Sequence, residues 1–152
     1  MTTGITMRPF HFSLEQVLRY RKQLEEHAML ALARSTAARD KRQREKEACS
    51  KAMEEQQAKL SRIADLNAEE RWLISGYLTG LTHDYEQATI DLVALEEEVD
   101  RARTQLTEKA QERKLLEKLK EKQAARHAKT EEYYEQQTID DIATIRFTPS
   151  PL

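Results

Sequence analysis

The sequence predicts an all-α chain folded as a long antiparallel two-helix coiled coil, an α-helical hairpin whose second helix is the longer. The first observation is a seam in which Ile74, Leu78, Leu81, Tyr85, Ala88, Leu92, Leu95, Val99, Ala102 and Leu106 recur at alternating spacings of four and three. That heptad keeps one apolar line facing a partner helix when the two supercoil left-handedly. The second is a thinner seam earlier in the chain, through Leu24, Ala28, Ala31, Ser35, Ala38 and Arg42, then Cys49, Met53, Gln56, Leu60 and Ile63, with a weak point near Glu45 and Lys46. The third is composition: 3 Gly, 3 Pro and 34% charged residues describe long helices rather than a globule with turns. The chain therefore supplies both strands of its own coiled coil, as a single elongated domain over residues 1–152.

Residues 1–13 read as an N-terminal arm and cap. Ser13 to Gln16 fits a capping box, and Phe12 and Val17 occupy the positions of a hydrophobic staple. Helix 1 follows over 14–65, since no proline interrupts the pattern between Leu14 and Pro149. The chain can reverse either at 66–67, where Asn67 with Glu70 reads as a new N-cap, or at Gly76 to Gly80. Heptad register allows both, because they differ by whole heptads. Charge selects the first: it lays the acidic block Asp84, Glu86, Asp91, Glu96, Glu97, Glu98 and Asp100 beside Arg34, Arg39, Lys41, Arg42, Arg44 and Lys46. Facing pairs are then Ala28 with Leu106, Ser35 with Val99, Ala38 with Leu95 and Cys49 with Tyr85. Helix 2 occupies 68–146, with an overhang from about Glu121 of roughly 40 Å at 1.5 Å per residue. Thr148 to Pro151 ends it in a tail over 147–152. Gly76 and Gly80 fall inside helix 2, as a tolerated bend or as a flattened face that lets a partner approach.

Composition also bounds function. With 25 basic against 27 acidic residues there is no global basic field to hold a nucleic acid. No apolar stretch is long enough to span a bilayer and the first residues carry no signal-peptide core, so the expected location is the cytosol. The lone Cys49 reads as a small buried hydrophobe. His11, His27, His83 and His127 have no ligand spacing for a metal, and Asp140 and Asp141 point different ways along a helix, so no metal, cofactor or enzymatic activity is expected. What remains is surface. Trp72, Leu73, Tyr77 and Leu81 gather after the turn. Leu14, Leu18, Tyr20, Met29, Leu30 and Leu32 enrich helix 1, and Tyr133, Tyr134, Ile139, Ile142, Ile145 and Phe147 enrich the end of helix 2. Such clusters on a charged helical chain favour docking of partners.

Phe10-His-Phe12-Ser-Leu14 at the start, Tyr77-x-x-x-Leu81 after the turn and Ile139-Asp140-Asp141-Ile142-Ala143 with Phe147 at the close give the sequence a resemblance to the FliJ family, the coiled-coil component of the flagellar type III export apparatus. It covers nearly the whole chain. The resemblance implies a stalk similar to that of rotary ATPases, whose terminal end enters a hexameric flagellar export ATPase while the other end meets the cytoplasmic region of the export gate. It implies gate contact through Tyr77, Leu81, Asp84 and Ala88, with Trp72 beside them. Asp84 departs from the small or apolar residue of the family pattern. Contact with the ATPase ring then falls to Leu14, Leu18, Tyr20, Ile139, Ile142 and Phe147. It further implies binding of export chaperones, a position in the cytoplasm at the flagellar base, and contact with the membrane only through the gate. The competing readings are the equivalent stalk of a virulence-type secretion system and a coiled-coil scaffold with no ATPase partner.

Overall fold

A computed structural model describes residues 7–62 and 65–147. Among the described residues there are two helices, α1, Glu15–Arg62, and the longer α2, Ala68–Phe147, packed antiparallel as a helical hairpin. Ile63, the tail 148–152 and the first residues of the arm lie outside the described residues.

The start of α2 follows from its capping chemistry. The Glu70 amide donates to Asn67 Oδ1 at 2.8 Å, and the Asn67 amide donates back to Glu70 Oε2 at 3.3 Å, a reciprocal box that satisfies two otherwise unpaired amides. The Arg71 amide donates to the Asn67 carbonyl at 3.1 Å as the first helical bond. α2 then runs unbroken through Gly76 and Gly80, so the chain does not reverse there. Its threonines are poor helix formers. Thr79, Thr82, Thr89, Thr104 and Thr107 each donate their hydroxyl to the carbonyl four residues earlier, which satisfies the group without leaving the helix.

α1 starts differently from its sequence signature. Among the described residues no hydrogen bond joins Ser13 to Gln16; the Glu15 amide instead donates to the Phe12 carbonyl at 3.2 Å. The expected staple is also displaced by one position, because Val17 is exposed and Leu18 is buried at 1% exposure. Phe12 is buried too, as a main-chain turn at Ser13 and Leu14 carries it inward.

Contacts group the chain into two compact units, one joining the chain up to Leu24 with the chain from Lys109, the other running Glu25–Glu108. In the second unit the α2 seam is as its heptad predicts: Leu81, Ala88, Leu92, Val99 and Ala102 are buried and Ile74, Leu78, Tyr85, Leu95 and Leu106 half-buried. Each fully buried Leu or Val side chain contributes about 1.5 to 3 kcal/mol. The α1 seam needs correction. Ala31 and Ala38 are exposed, and the inward positions are Glu25, Ala28, Leu32, Ser35, Arg39, Arg42, Lys46, Cys49, Met53, Gln56 and Leu60, spaced alternately by three and four. One register thus runs through the supposed weak point at Glu45 and Lys46. Alanine attracted the sequence reading by being apolar, whereas the inward slots at Arg39 and Lys46 hold long stems that cover apolar surface while their charged heads reach water. Lys46 Nζ sits 5.2 Å from the Tyr85 ring centroid, a cation–π contact that explains a charge at a seam position.

Charge matching is sparser than the blocks suggest. Arg42 donates from Nη2 to Asp91 Oδ2 at 2.8 Å and from Nη1 to Glu45 Oε2 at 2.6 Å, while Arg39 pairs with its neighbour Asp40. Arg34, Lys41 and Arg44 make no ion pair among the described residues.

The first unit holds a denser set of cross-helix pairs: Arg21 with Glu112 at 2.7 Å, Lys120 with Glu15 at 2.9 Å and Lys22 with Glu117 at 3.9 Å. Here the arm shortens the expected overhang. Phe10 packs on His127 with ring centroids 5.7 Å apart, so α2 is covered well beyond Glu121. From Glu132 to Phe147 every residue of α2 is exposed, about 24 Å of helix at 1.5 Å per residue.

Candidate functional site

Each unit carries one exposed cluster that includes aromatic rings. In the second unit Trp72, 73% exposed, stands with Leu73 and Tyr77 on the first turns of α2. Trp72, Gly76 and Gly80 succeed one another at single-turn spacing, and Leu73 and Tyr77 form the adjacent row. A Cβ built at Gly76 or Gly80 would meet nothing within 4 Å, and neither glycine has a positive φ. The fold therefore makes no demand for glycine at either position. What the two glycines create is a bare strip of backbone that continues the row of Trp72 alongside Leu73 and Tyr77.

The residues expected to meet the export gate divide in two. Trp72, Tyr77 and Asp84 are exposed, whereas Leu81 and Ala88 are buried in the seam, Ala88 to 1%. Leu81 and Ala88 hold the exposed three in place by packing α2 against α1. The heptad already marked both as inward, which conflicts with a surface role inferred from resemblance.

In the first unit Tyr133, Tyr134, Ile139, Ile142, Ile145 and Phe147 are exposed on the last turns of α2, Phe147 to 88%. The inward line of this unit passes through Glu117, Lys120, Ala124, His127 and Glu131, and its continuation at the same spacing carries Tyr134, Thr138, Asp141 and Ile145, with Ile142 beside it. Tyr133 and Tyr134 meet edge to face, 6.1 Å between centroids. Of the α1 residues assigned to the ATPase ring, Tyr20 is exposed, Leu14 lies at the border of exposure, and Leu18 is a core residue that fixes the first turns of α1.

Ion pairing shifts the ionisation of Glu15 and Arg42. The hydrogen bond from Lys120 lowers the Glu15 carboxyl below its ordinary value, and the nearby charges of Lys120, Arg19 and Lys22 act in the same direction against partial desolvation. Arg42, in the other unit, is held still more firmly in its charged form by its hydrogen bonds to Glu45 and Asp91. Cys49 is a half-buried free thiol. Among the described residues no group of His, Cys, Asp or Glu is arranged to hold a metal ion, and no helix is long and apolar enough to cross a membrane. An open groove runs along α1, lined by Glu54, Glu55, Ala58, Lys59 and Arg62.

No curated protein and no solved structure matches the chain. The family model described as Flagellar FliJ protein matches residues 10–151, from the Phe10 that packs on His127 nearly to the end of the chain. With that span matched, the chain belongs to the FliJ family of the flagellar export system.

Proposed function

We propose that this protein is a coupling stalk of the flagellar type III export apparatus, with its last α2 turns entering the ring of the hexameric export ATPase and its Trp72–Tyr77 surface meeting the cytoplasmic region of the export gate. The observation that supports the reading is an exposed aromatic-containing cluster in each compact unit, Trp72 with Leu73 and Tyr77 in one and Tyr133 to Phe147 in the other. A scaffold that only dimerised needs one such surface; a connector needs two. The family match favours a flagellar over a virulence-type system. On this reading the protein acts in the cytoplasm at the flagellar base and performs no catalysis itself. Export chaperones are further partners, with no residue assigned to them.

Two variants test it. Tyr77→Ala weakens binding to the gate fragment about thirtyfold, the consequence of losing an interface anchor of about 2 kcal/mol, and leaves stimulation of the ATPase intact. Phe147→Asp removes ATPase stimulation and spares gate binding. Both positions are exposed, so circular dichroism should report unchanged helix content. Equal loss of gate binding in both variants, or no effect of either on ATP hydrolysis, would return the protein to the scaffold class.

A further inference from the structure

The outward face of α2 in the first unit carries a line of cations that are unpaired among the described residues. Lys114, Lys118, Lys122, Arg126 and Lys129 are all exposed, and none makes an ion pair among the described residues. Helical spacing places them on the side opposite the inward residues Arg113, Leu116, Lys120, Ala124 and His127. The acidic residues of this stretch lie elsewhere: Glu112 pairs with Arg21, Glu117 pairs with Arg113 and Lys22, and Glu121 falls at the flank. The result is an uninterrupted basic stripe about 22 Å long at 1.5 Å per residue, in a chain of net charge −2. Two leucines lie within it. Leu115 is 69% exposed and Leu119 sits one turn on, and a shallow groove lined by Gln111, Lys114, Leu115 and Lys118 runs beside them.

Composition indicates the partner. Protein interfaces enrich Arg and aromatic residues and deplete Lys, because guanidinium forms planar paired bonds with carboxylates while ammonium is a strongly hydrated point charge. This stripe has four lysines, one arginine and no aromatic ring. Point charges on flexible stems around small apolar wedges suit a diffuse anionic plane better than a shaped acidic pocket. We infer that the outward face of α2 over Lys114–Lys129 docks on the headgroups of an anionic lipid surface, with Leu115 and Leu119 dipping at its boundary. The contact is direct, whereas the sequence reading allowed the membrane only through the gate. It is also independent of the two partner-docking clusters, since it uses none of their residues.

Vesicle co-sedimentation of the full chain tests it. At about 0.1 M salt the protein should bind vesicles of about one-third phosphatidylserine in phosphatidylcholine and not phosphatidylcholine alone, and binding should fade as salt shortens the screening length. Each cation removed costs about fivefold in partition, the equivalent of about 1 kcal/mol, so Lys118→Gln, Lys122→Gln and Arg126→Gln together weaken it about a hundredfold. A control on another basic patch, Lys41→Gln with Arg44→Gln, leaves binding unchanged, and helix content by circular dichroism stays the same in both variants. The inference is overturned if the two vesicle types bind alike, if the triple variant binds as the parent does, or if the control loses as much as the triple variant. It is equally overturned if the stripe holds duplex DNA or polyglutamate more tightly than it holds the anionic vesicles.

Discussion

Gly76 and Gly80 cost helix stability without a packing reason, since each occupies open space in helical backbone. Gly76→Ala and Gly80→Ala should therefore each raise the stability of α2 by about 1 kcal/mol, read as a higher denaturation midpoint by circular dichroism. If the bare strip beside Trp72 serves close approach of the export gate, the same variants will bind the gate less well while being more stable, and the two effects separate the roles. Glu15 gives a second test. Its carboxyl is lowered in the folded chain chiefly by the hydrogen bond from Lys120, so its contribution is present above the ordinary glutamate value and is lost as pH falls through the lowered one. Glu15→Gln should accordingly be less stable than the parent at neutral pH, and the gap should close in acid. A gap that persists unchanged in acid would mean that Glu15 acts through packing rather than charge.

The two helices were unequally legible. α2 declared its seam because large apolar residues fill nearly every inward slot from Ile74 to Leu106, and a two-residue capping signal marked its start. α1 hides its register because its inward slots set small residues such as Ala28, Ser35 and Cys49 around three successive cations, Arg39, Arg42 and Lys46, two of which meet partners on α2, Asp91 for Arg42 and the Tyr85 ring for Lys46. The reach of the arm is hidden in the sequence for a related reason. Nothing local announces that Phe10 will lie on His127, a contact fixed by residues more than a hundred positions away. At the docking surfaces, exposure of Trp72, Tyr77, Ile142 and Phe147 followed from composition, while the burial of Leu18, Leu81 and Ala88 needed the packed helices. The pairing register that follows from a turn at Asn67 is directly testable within the Glu25–Glu108 unit. With Cys49→Ala to remove the native thiol, Ser35→Cys and Val99→Cys should form an intramolecular disulfide on oxidation, seen as a shift on non-reducing gels. A pair placed at Gln56 and Val99 should not.

At the scale of the whole molecule, each helix buries only a stripe among the described residues, so local stability varies along the chain. The cross-helix bonds differ greatly in the length of chain they close. Arg42 and Asp91 are 49 residues apart, Arg21 and Glu112 are 91 apart, and Lys120 and Glu15 are 105 apart. Closing a longer loop costs more entropy before any contact repays it. Folding should thus begin beside the Asn67 cap, where partners are neighbours in sequence, and finish with the docking of Phe10 and Phe12. In pulsed hydrogen exchange during refolding, amides of 81–102 should gain protection before those of 15–24 and 110–127; the reverse order would contradict a zipper that starts at the turn. The same order run backwards is an order of release. The segment that bears the aromatic tail and the lysine row is then the last to close and the first to reopen, so a ligand seated there is felt as a slower loss of the arm, while one seated at Trp72 leaves the opening rate of the arm unchanged.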